Sequence, residues 1–390
     1  MNKRKLFLCI LVIFSFYVIH GIFEVFPQNQ AHFAERTHST LHIPLLNNSF
    51  NFSNSILNMN DLQIFTKDHF ITSEEKKILT GDDLKFQINF KSDILHFGAK
   101  NLDVSFKTFL YGKGKLLESK YAKLVLYGNE QDAYTSNSGE NTEGIGFSKL
   151  NVVYSLKKAK NIKNIPFNVG VNLALYFPSF YGNVPISRQK FGSTYDASYY
   201  KYRLHYYYTE GYPKTKVGIG LGFGMKAKIP KGNIYLSLDD IFANLTYKDM
   251  KKFKYEKEYV DSLLYFDTDH EAFEEHLEVD SIRFDETVYL LPSIEIGVDY
   301  KLSDTFSLYL KFNHSEYSYP NGFSLTVGHG ADSNYPLFVT IGKDENIYTE
   351  FKAGYNYKSY ELMFGLTYFD GFFNGSKGVG FQTGLVKKLY

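Results

Sequence analysis

Apolar residues take every second position in many segments of this chain, which is the pattern of β-strands with one apolar face. In segment 214–229 the apolar side chains alternate first with the glycines of Gly218–Gly224 and then with Lys226 and Lys228. Because successive side chains point to opposite faces of a strand, one face of this segment is apolar throughout. This pattern fits both a soluble sandwich and a membrane-spanning barrel, so the decision depends on how often it recurs.

The alternation recurs from residue 84 to the end of the chain. Besides 214–229, it is present in 84–90, 94–106, 145–156, 166–177, 198–208, 234–247, 290–302, 306–312, 323–328, 337–342, 351–357, 360–369 and 379–390. Many of these segments have the length that a tilted strand needs to cross a bilayer. Together they predict an all-β fold, an antiparallel transmembrane β-barrel of about 14 strands (roughly 12–16).

Composition favours the barrel over a secreted soluble β-protein. The chain has 390 residues, with 33 Tyr, 36 Phe and no Trp, so that aromatic residues make up 18%. Its mean hydropathy of −0.27 excludes a helical membrane protein. A polar average with many aromatic residues is typical of a transmembrane barrel, because lipid-facing and lumen-facing residues cancel in any window. The net charge of +1 gives no case for nucleic-acid binding.

The N-terminus predicts an export signal at 1–21. In the alternative assignment the signal is longer and is cleaved as late as residue 31. A basic start at Asn2–Lys5 precedes an apolar run at Leu6–Ile19, which has the length of a signal peptide and is short for a membrane-spanning helix. A membrane anchor is the other interpretation. The only cysteine, Cys9, lies in this run, so a processed chain has no disulfides.

The segment 32–81 differs from the rest and is predicted as an N-terminal plug or periplasmic segment, followed by the barrel at 82–390. It is rich in Asn and Ser and contains helix-start patterns near Asn60 and Thr72. A second short helix is expected within Leu116–Tyr127. We expect 32–81 to lie inside the barrel or across its periplasmic mouth, and a flexible extension is the alternative.

Charged residues on the non-apolar strand faces are the candidates for lining the lumen. They are Lys201, Arg203, His205, Lys226, Lys228, Glu295, Asp299 and Lys301. The basic residues allow two interpretations. Either they form a patch that selects anions, or they form ion pairs with Glu295, Asp299 or a plug. The tyrosines of 198–208 predict an interfacial girdle.

No catalytic residue, metal site or cofactor is predicted, and we expect the protein not to be an enzyme. The cluster of acidic residues and histidines at 267–278 lacks the His-Glu-x-x-His spacing of a zinc protease and is expected to be a solvated loop. His329–Ser333 has residue types suited to hydrolysis, but we expect Gly330 and Asp332 to form a turn and not a catalytic site.

The layout resembles the FadL-like hydrophobic-compound transporters of the outer membrane. An export signal, an N-terminal segment of about fifty residues and about fourteen strands carry this resemblance. The chain lacks that family's Asn-Pro-Ala hatch signature, and Phe26–Gln28 and Ile43–Leu45 are not substitutes for it. Other stretches are more similar to outer-membrane barrel families of unknown function, namely 43–46, 126–130, 236–241 and 291–293. The resemblance implies an outer-membrane location, and it assigns a transport role to no residue of this chain.

Two functional hypotheses follow. The first is a transporter or channel in the outer membrane of a diderm bacterium, passing small or hydrophobic compounds, or an anionic solute, through a partly plugged polar lumen. The second is a structural or assembly protein of that membrane which binds an envelope protein through loop 248–286. In both cases the surrounding partner is outer-membrane lipid.

Overall fold

The computed structural model shows an antiparallel β-barrel. It describes residues 40–61, 64, 70–99, 101–127, 133–136, 141–156, 160–162, 165–193, 198–209, 215–261, 277–278, 283–316, 321–330, 333–344 and 346–389. The predicted signal at 1–21 lies outside these residues. Neither helix within them has the length and the run of apolar residues that crossing a membrane requires.

Fourteen of the strands form a closed ring, which confirms the predicted barrel and its strand number. In ring order the strands are β1 (Thr40–Asn54), β2 (Leu84–Ala99), β3 (Leu102–Leu117), β5 (Thr142–Ser155), β7 (Ile165–Ser193), β10 (Gly218–Ile229), β11 (Gly232–Ile241), β15 (Ser293–Lys301), β16 (Phe306–His314), β17 (Gly322–His329), β18 (Leu337–Lys343), β19 (Ile347–Tyr357), β20 (Tyr360–Phe369) and β21 (Gly378–Leu389). Each pairs with the next, and β21 pairs back with β1, so the ring has no open edge.

The two ends of the barrel differ in their connections. At the turn end, β10 is joined to β11 by Pro230-Lys231, and β19 to β20 by Lys358-Ser359. At the loop end, several connections are longer. They hold helix α1 (Ser73–Leu79), helix α2 (Ser119–Tyr127), a 3₁₀ turn (Phe373–Gly375) and the strands β4 (Ala133–Ser136), β8 (Ser198–Tyr208), β9 (Thr215–Lys216), β12 (Asn244–Asp261), β13 (Leu277–Glu278) and β14 (Arg283–Tyr289). The short β6 (Lys160–Ile162) lies on the β5–β7 connection at the turn end.

The outer face of the ring is apolar and exposed, and the inner face is polar and buried. On β10, Ile219 is 56% exposed, and on β16, Leu310 is 51% exposed. Their neighbours on the other face are glycine, Lys226 or Tyr309, which are buried. Only a bilayer satisfies an exposed apolar band around a closed sheet, so the ring is the membrane-spanning part of the protein.

Strands β8, β12 and β14 extend the wall beyond the loop end and are not part of the ring. The first half of β7 pairs with β10 through Phe167–Tyr176, and its second half pairs with β8 through Gly182–Ser193. The interpretation of 198–208 as a membrane-crossing strand was therefore wrong. A local alternation pattern cannot distinguish a wall strand from its extension, because only the pairing partner differs. The stacked rings of Tyr206, Tyr208 and Phe253 lie on this extension.

The prediction that 32–81 is a plug or periplasmic segment was wrong for Thr40–Asn54, which is a wall strand between β2 and β21. Its Phe50 pairs with Phe90 and Phe381, while Asn51 is buried on the lumen side. The helix predicted after Thr72 is confirmed, with a capping box between Thr72 and Glu75. The helix expected near 116–127 is also confirmed, beginning at Ser119.

Segments 84–90 and 94–106 were predicted as two strands joined by a turn at Ser92-Asp93, and this was wrong. Leu84–Ala99 is one strand, with a register shift against β3 between Asp93 and Leu95. A β-bulge adds one residue and bends a strand without ending it. The bulge leaves Ile94 and Leu95 both exposed on the outer face.

Aromatic rings on the lumen side lie over glycines of the neighbouring strand. A Cβ at Gly342 would lie 2.3 Å from the ring of the buried Tyr348, and one at Gly297 would lie 2.2 Å from the Tyr235 ring. We therefore expect Gly342→Ala to lower the free energy of unfolding by about 1–3 kcal/mol, the usual cost of overpacking. Urea unfolding of the folded barrel measures this change.

Gly375→Ala is the matched control, because a Cβ there meets nothing within 4 Å. We expect its unfolding midpoint to equal that of the unchanged protein. If Gly342→Ala and Gly375→Ala have the same unfolding midpoint, then Gly342 is not needed to leave room for the Tyr348 ring.

Candidate functional site: a charged cavity in the barrel lumen

The barrel lumen contains a cavity of about 160 Å³ among inward-facing side chains. Space for a water is about 10–15 Å³ on this measure, so the cavity holds several. Its lining comes from strands that are far apart in sequence. It consists of Lys91, Asp103, Ser105, Lys107, Phe109, Lys149, Asn151, Val153, Asn172, Ser237, Asp239, Asp240, Ser293, Ile294, Glu295, Asn313 and Ser315.

A bulge near the end of β11 turns two adjacent carboxylates toward this cavity. The register against β10 shifts between Leu221 and Phe223, and Asp240 has a positive φ of 60°. In a regular strand Asp239 and Asp240 would point to opposite faces. The bulge removes that alternation, so both side chains lie at the cavity and neither lies in lipid.

Lys149 on β5 is the counter-ion of Asp240. Its Nζ lies 2.5 Å from Oδ1 of Asp240, with the two side chains 10% and 17% exposed. The Tyr176 hydroxyl donates to Oδ1 of Asp240, and the Ser293 hydroxyl donates to Oδ2 at 3.1 Å. The carboxylate is thus surrounded by three donors from three strands, which fixes its position.

Asp239 accepts hydrogen bonds from two neutral groups. Asn172 Nδ2 donates to Oδ1 of Asp239 at 2.9 Å, and the Ser237 hydroxyl donates to Oδ2 at 3.2 Å. Two buried acceptor atoms of cavity-lining residues, Oδ1 of Asn172 and Oε1 of Glu295, have no hydrogen-bond partner among the described residues. Both atoms lie in the packed wall of the cavity, where an acceptor without a donor is costly.

Ion pairs along the inner wall carry most of the remaining charge. Lys311 Nζ lies 2.8 Å from Oε2 of Glu295, and Lys352 Nζ lies 2.7 Å from Oε2 of Glu350. Nearer the turn end, Nε2 of His96 lies 2.6 Å from Oδ2 of Asp103. These pairs therefore place charges of both signs on the inner wall.

An aromatic layer covers the loop end of the cavity. We use this name for the buried cluster of Tyr111, Ile145, Phe147, Ala174, Tyr176, Tyr181, Ala243, Leu245, Tyr247, Met250 and Leu290. On β5, Phe147 is the next inward residue from Lys149 toward the loop end, and on β7, Tyr176 lies two inward positions beyond Asn172. The layer therefore lies between the charged cavity and the loop end along β5 and β7.

The residues that β12 contributes to the aromatic layer contact the wall strands β5 and β7. The rings of Tyr247 and Tyr181 stack at 5.2 Å, and the Tyr247 hydroxyl donates to the carbonyl oxygen of Gly146 at 3.2 Å. Tyr247, Leu245 and Met250 are completely buried. Burial raises the pKa of the Tyr247 phenol above its ordinary value. This part of β12 packs against the inner wall of the barrel.

The structure separates the eight predicted lumen residues into three groups. Lys226, Glu295 and Asp299 face inward in the ring, where Asp299 accepts from Nδ2 of Asn233. Lys228 and Lys301 are exposed at the turn end. The remaining three, Lys201, Arg203 and His205, lie on β8 beyond the ring. Of the eight, only Glu295 lines the cavity, and a role of any of them in solute selection stays a prediction.

Sequence reasoning missed the central residues of the site. Lys149 and Asp240 are 91 positions apart, and nothing in their local patterns connects them. A signal for the carboxylates was present, because Asp239-Asp240 interrupts the alternation of an otherwise regular strand. Two adjacent charges in a membrane strand require a bulge that turns both of them inward.

Within the described ranges, no group of three or more His, Cys, Asp and Glu side chains is placed to hold a metal ion. The acidic cluster at 267–278 lies outside those ranges apart from Leu277 and Glu278. The cavity offers hydrogen bonds and paired charges.

Neither a family model nor a curated protein matches the chain. Several solved barrels are similar to it. The Ralstonia pickettii toluene transporter TbuX is 9% identical with a TM-score of 0.44, over 93% of this chain and 91% of that chain. The P. putida toluene transporter TodX is 9% identical with a TM-score of 0.41, over 93% and 91%. A Pseudomonas aeruginosa FadL homologue, from the family that the sequence layout resembles, is 9% identical with a TM-score of 0.39, over 92% and 90%.

Proposed function

We propose that this chain is an outer-membrane channel or transporter that passes small polar solutes through the barrel lumen. The supporting observation is the contrast between the two faces of the ring. Outside, apolar side chains such as Ile219 and Leu310 are half exposed, as a bilayer requires. Inside, lysines, carboxylates, amides and hydroxyls surround a cavity. A purely structural barrel does not need a hollow, charged interior.

The lining defines the solute class as a small polar molecule. The lysine, carboxylate, amide and hydroxyl groups around the cavity are the polar contacts available to it. An apolar solute would displace water from the ion pairs of Lys149 and Lys311, and removing water from charges costs free energy. A polar solute avoids this cost. Glu295 is therefore the residue, among those predicted from sequence, to which we assign solute contact.

The aromatic layer is the barrier in this proposal. Its buried rings lie between the loop end and the cavity along β5 and β7, so in this proposal a solute passes when β12 moves. Passage is then slow and selective by size. The layer also supports a second candidate, passage of hydrophobic compounds, because its rings present apolar surface.

Proteoliposome swelling tests the proposal and separates the two candidates. Liposomes with folded protein are placed in isotonic arabinose, a small polar solute, or in raffinose, a larger one. We expect arabinose to enter faster than it does in protein-free liposomes, and raffinose to be excluded. A barrel that is folded by heat-modifiable gel mobility, yet admits neither sugar, contradicts the proposal. Binding of a monoaromatic hydrocarbon without arabinose entry supports the second candidate.

The alternative predicted from sequence is an assembly protein that binds a partner through 248–286. Residues 248–261 belong to β12, and 283–286 to β14, so both ends of this segment are strands of the extended wall. Phe284 and Met250 of these strands belong to the aromatic layer or pack against it. These contacts support a role at the lumen, and a partner for the segment stays a prediction.

A further inference from the structure

The charged side chains that line the lumen cavity are sorted by strand. Its three lysines come from β2, β3 and β5, which are consecutive in the ring. We call them the lysine arc, which consists of Lys91, Lys107 and Lys149. Three of its four carboxylates come from the neighbouring strands β11 and β15. We call them the carboxylate arc, which consists of Asp239, Asp240 and Glu295. Strands β7 and β10 lie between the two arcs.

The lysine arc brings positive charges close together. Lys107 and Lys149 are directly paired across β3 and β5, and they are 4% and 8% exposed. Like charges at directly paired positions repel each other, so this arrangement costs stability. At this level of the lumen the same strands contribute two carboxylates. Oδ1 of Asp93 lies 3.7 Å from Nζ of Lys107, and Oδ2 of Asp103 lies 2.6 Å from Nε2 of His96. Three lysines therefore face two aspartates on this side.

The carboxylate arc carries the opposite excess. Glu295 is directly paired with Ser237, which is two positions from Asp239 on β11. The next strand, β16, adds one lysine, and Nζ of Lys311 lies 2.8 Å from Oε2 of Glu295. The groups that donate to Asp239, from Asn172 and Ser237, carry no charge. Three carboxylates therefore face one lysine on this side.

The two arcs oppose each other without giving the cavity a large net charge. Positive charge is in excess on one side and negative charge on the other, so an electric field runs across the cavity from the lysine arc to the carboxylate arc. The walls that carry it are shielded from solvent, since Lys107, Lys149 and Asp240 are largely buried, and water screens such a field less than a surface field. A field of this kind acts most strongly on a solute that is neutral overall and carries opposite charges at its two ends.

We propose that the cavity selects small zwitterions, the class of molecules that carry one ammonium and one carboxylate group. The carboxylate of the solute lies toward Lys91 and Lys107, and its ammonium group lies toward Asp239 and Glu295. The cavity of about 160 Å³ has room for about ten waters and therefore for a small amino acid. This assignment rests on the proposed function, because it names the solute class of the same passage.

Glycine and glycolamide test the proposal, because they are isomers of equal size that differ in charge separation. Glycine is a zwitterion at neutral pH, and glycolamide is an uncharged amide. Proteoliposome swelling is measured for both solutes, and the rate in protein-free liposomes is subtracted. We expect the protein to accelerate glycine entry more than glycolamide entry. Equal acceleration of the two overturns the zwitterion assignment and leaves the proposed function standing. If a folded barrel accelerates neither solute nor arabinose, both proposals fail.

A double variant shows whether the two arcs cause the preference. Lys91→Gln with Asp239→Asn removes one charge from each arc with little change in shape. The matched control is Lys358→Gln with Asp304→Asn, which removes one charge of each sign from exposed positions at the turn end. We expect the arc variant to lose the preference for glycine and the control to keep it. Heat-modifiable gel mobility shows that each barrel is folded. A folded arc variant that keeps the full preference overturns the proposal, and the unmodified chain tests it without any variant.

Discussion

Lys149→Ala is expected to lower the free energy of unfolding by about 3–5 kcal/mol, because it leaves Asp240 as a buried charge without its partner. The Nζ–Oδ1 distance is 2.5 Å, and both side chains are largely shielded from solvent. The hydroxyls of Tyr176 and Ser293 still donate to Asp240 but carry no charge. Urea titration of the folded barrel, followed by loss of heat-modifiable mobility, measures the change.

The double variant Lys149→Met with Asp240→Asn is the decisive comparison. It removes both charges, and asparagine tolerates the positive φ of 60° at position 240. We expect it to recover more than half of the stability that Lys149→Ala loses. Lys311→Ala is the control, because Lys311 is 34% exposed against 10% for Lys149, so water screens its pair with Glu295 more strongly and we expect a smaller loss of stability. A Lys149→Ala barrel as stable as the Lys311→Ala barrel contradicts a buried ion pair at the centre of the site.

Tyr247→Ala is expected to lower stability by about 3–5 kcal/mol and to speed solute entry at the same time. The side chain is completely buried, stacks on Tyr181 and donates to the backbone of Gly146. Removing the ring opens a hole in the aromatic layer. Thermal unfolding gives the first effect, and arabinose swelling of proteoliposomes gives the second.

Two controls separate the ring from its hydroxyl and from general damage. Tyr247→Phe keeps the ring and loses one hydrogen bond, so we expect a cost of about 0.5–1.5 kcal/mol and unchanged arabinose entry. Tyr289→Ala removes an exposed ring of β14, 72% accessible, and we expect it to change stability by no more than about 0.5 kcal/mol. If Tyr247→Ala is destabilised but admits arabinose no faster, the aromatic layer is not the barrier.

The strand number was predictable, but the individual strands were less so. Strand β1 was missed because Asn and Ser make Thr40–Asn54 look like a loop, and its pairing with β2 and β21 overrides those weak preferences. The segment 198–208 was included because its alternation is as regular as that of a wall strand. Strand β1 was omitted and segment 198–208 was included by mistake, so the predicted number of strands was correct although the predicted set of strands was not.

The site was less predictable than the fold for a physical reason. Alternation in one strand reports which residues face inward, as it did for Glu295, but it does not report which inward residues meet across the lumen. The contact between Lys149 and Asp240 depends on a bulge in β11 and on the order of strands in the ring. The aromatic layer depends on β12 bending over β5 and β7, and no local pattern in the sequence specifies this bend.

Single-channel recording of the purified barrel in a planar bilayer tests the central claim most directly. The claim is that the polar lumen is a passage whose barrier is the aromatic layer. For the unmodified protein we predict discrete current steps, and for Tyr247→Ala we predict larger or longer openings. A barrel that is folded yet silent, both unmodified and with Tyr247→Ala, would contradict the account, because the lumen would then be closed at more than its aromatic layer.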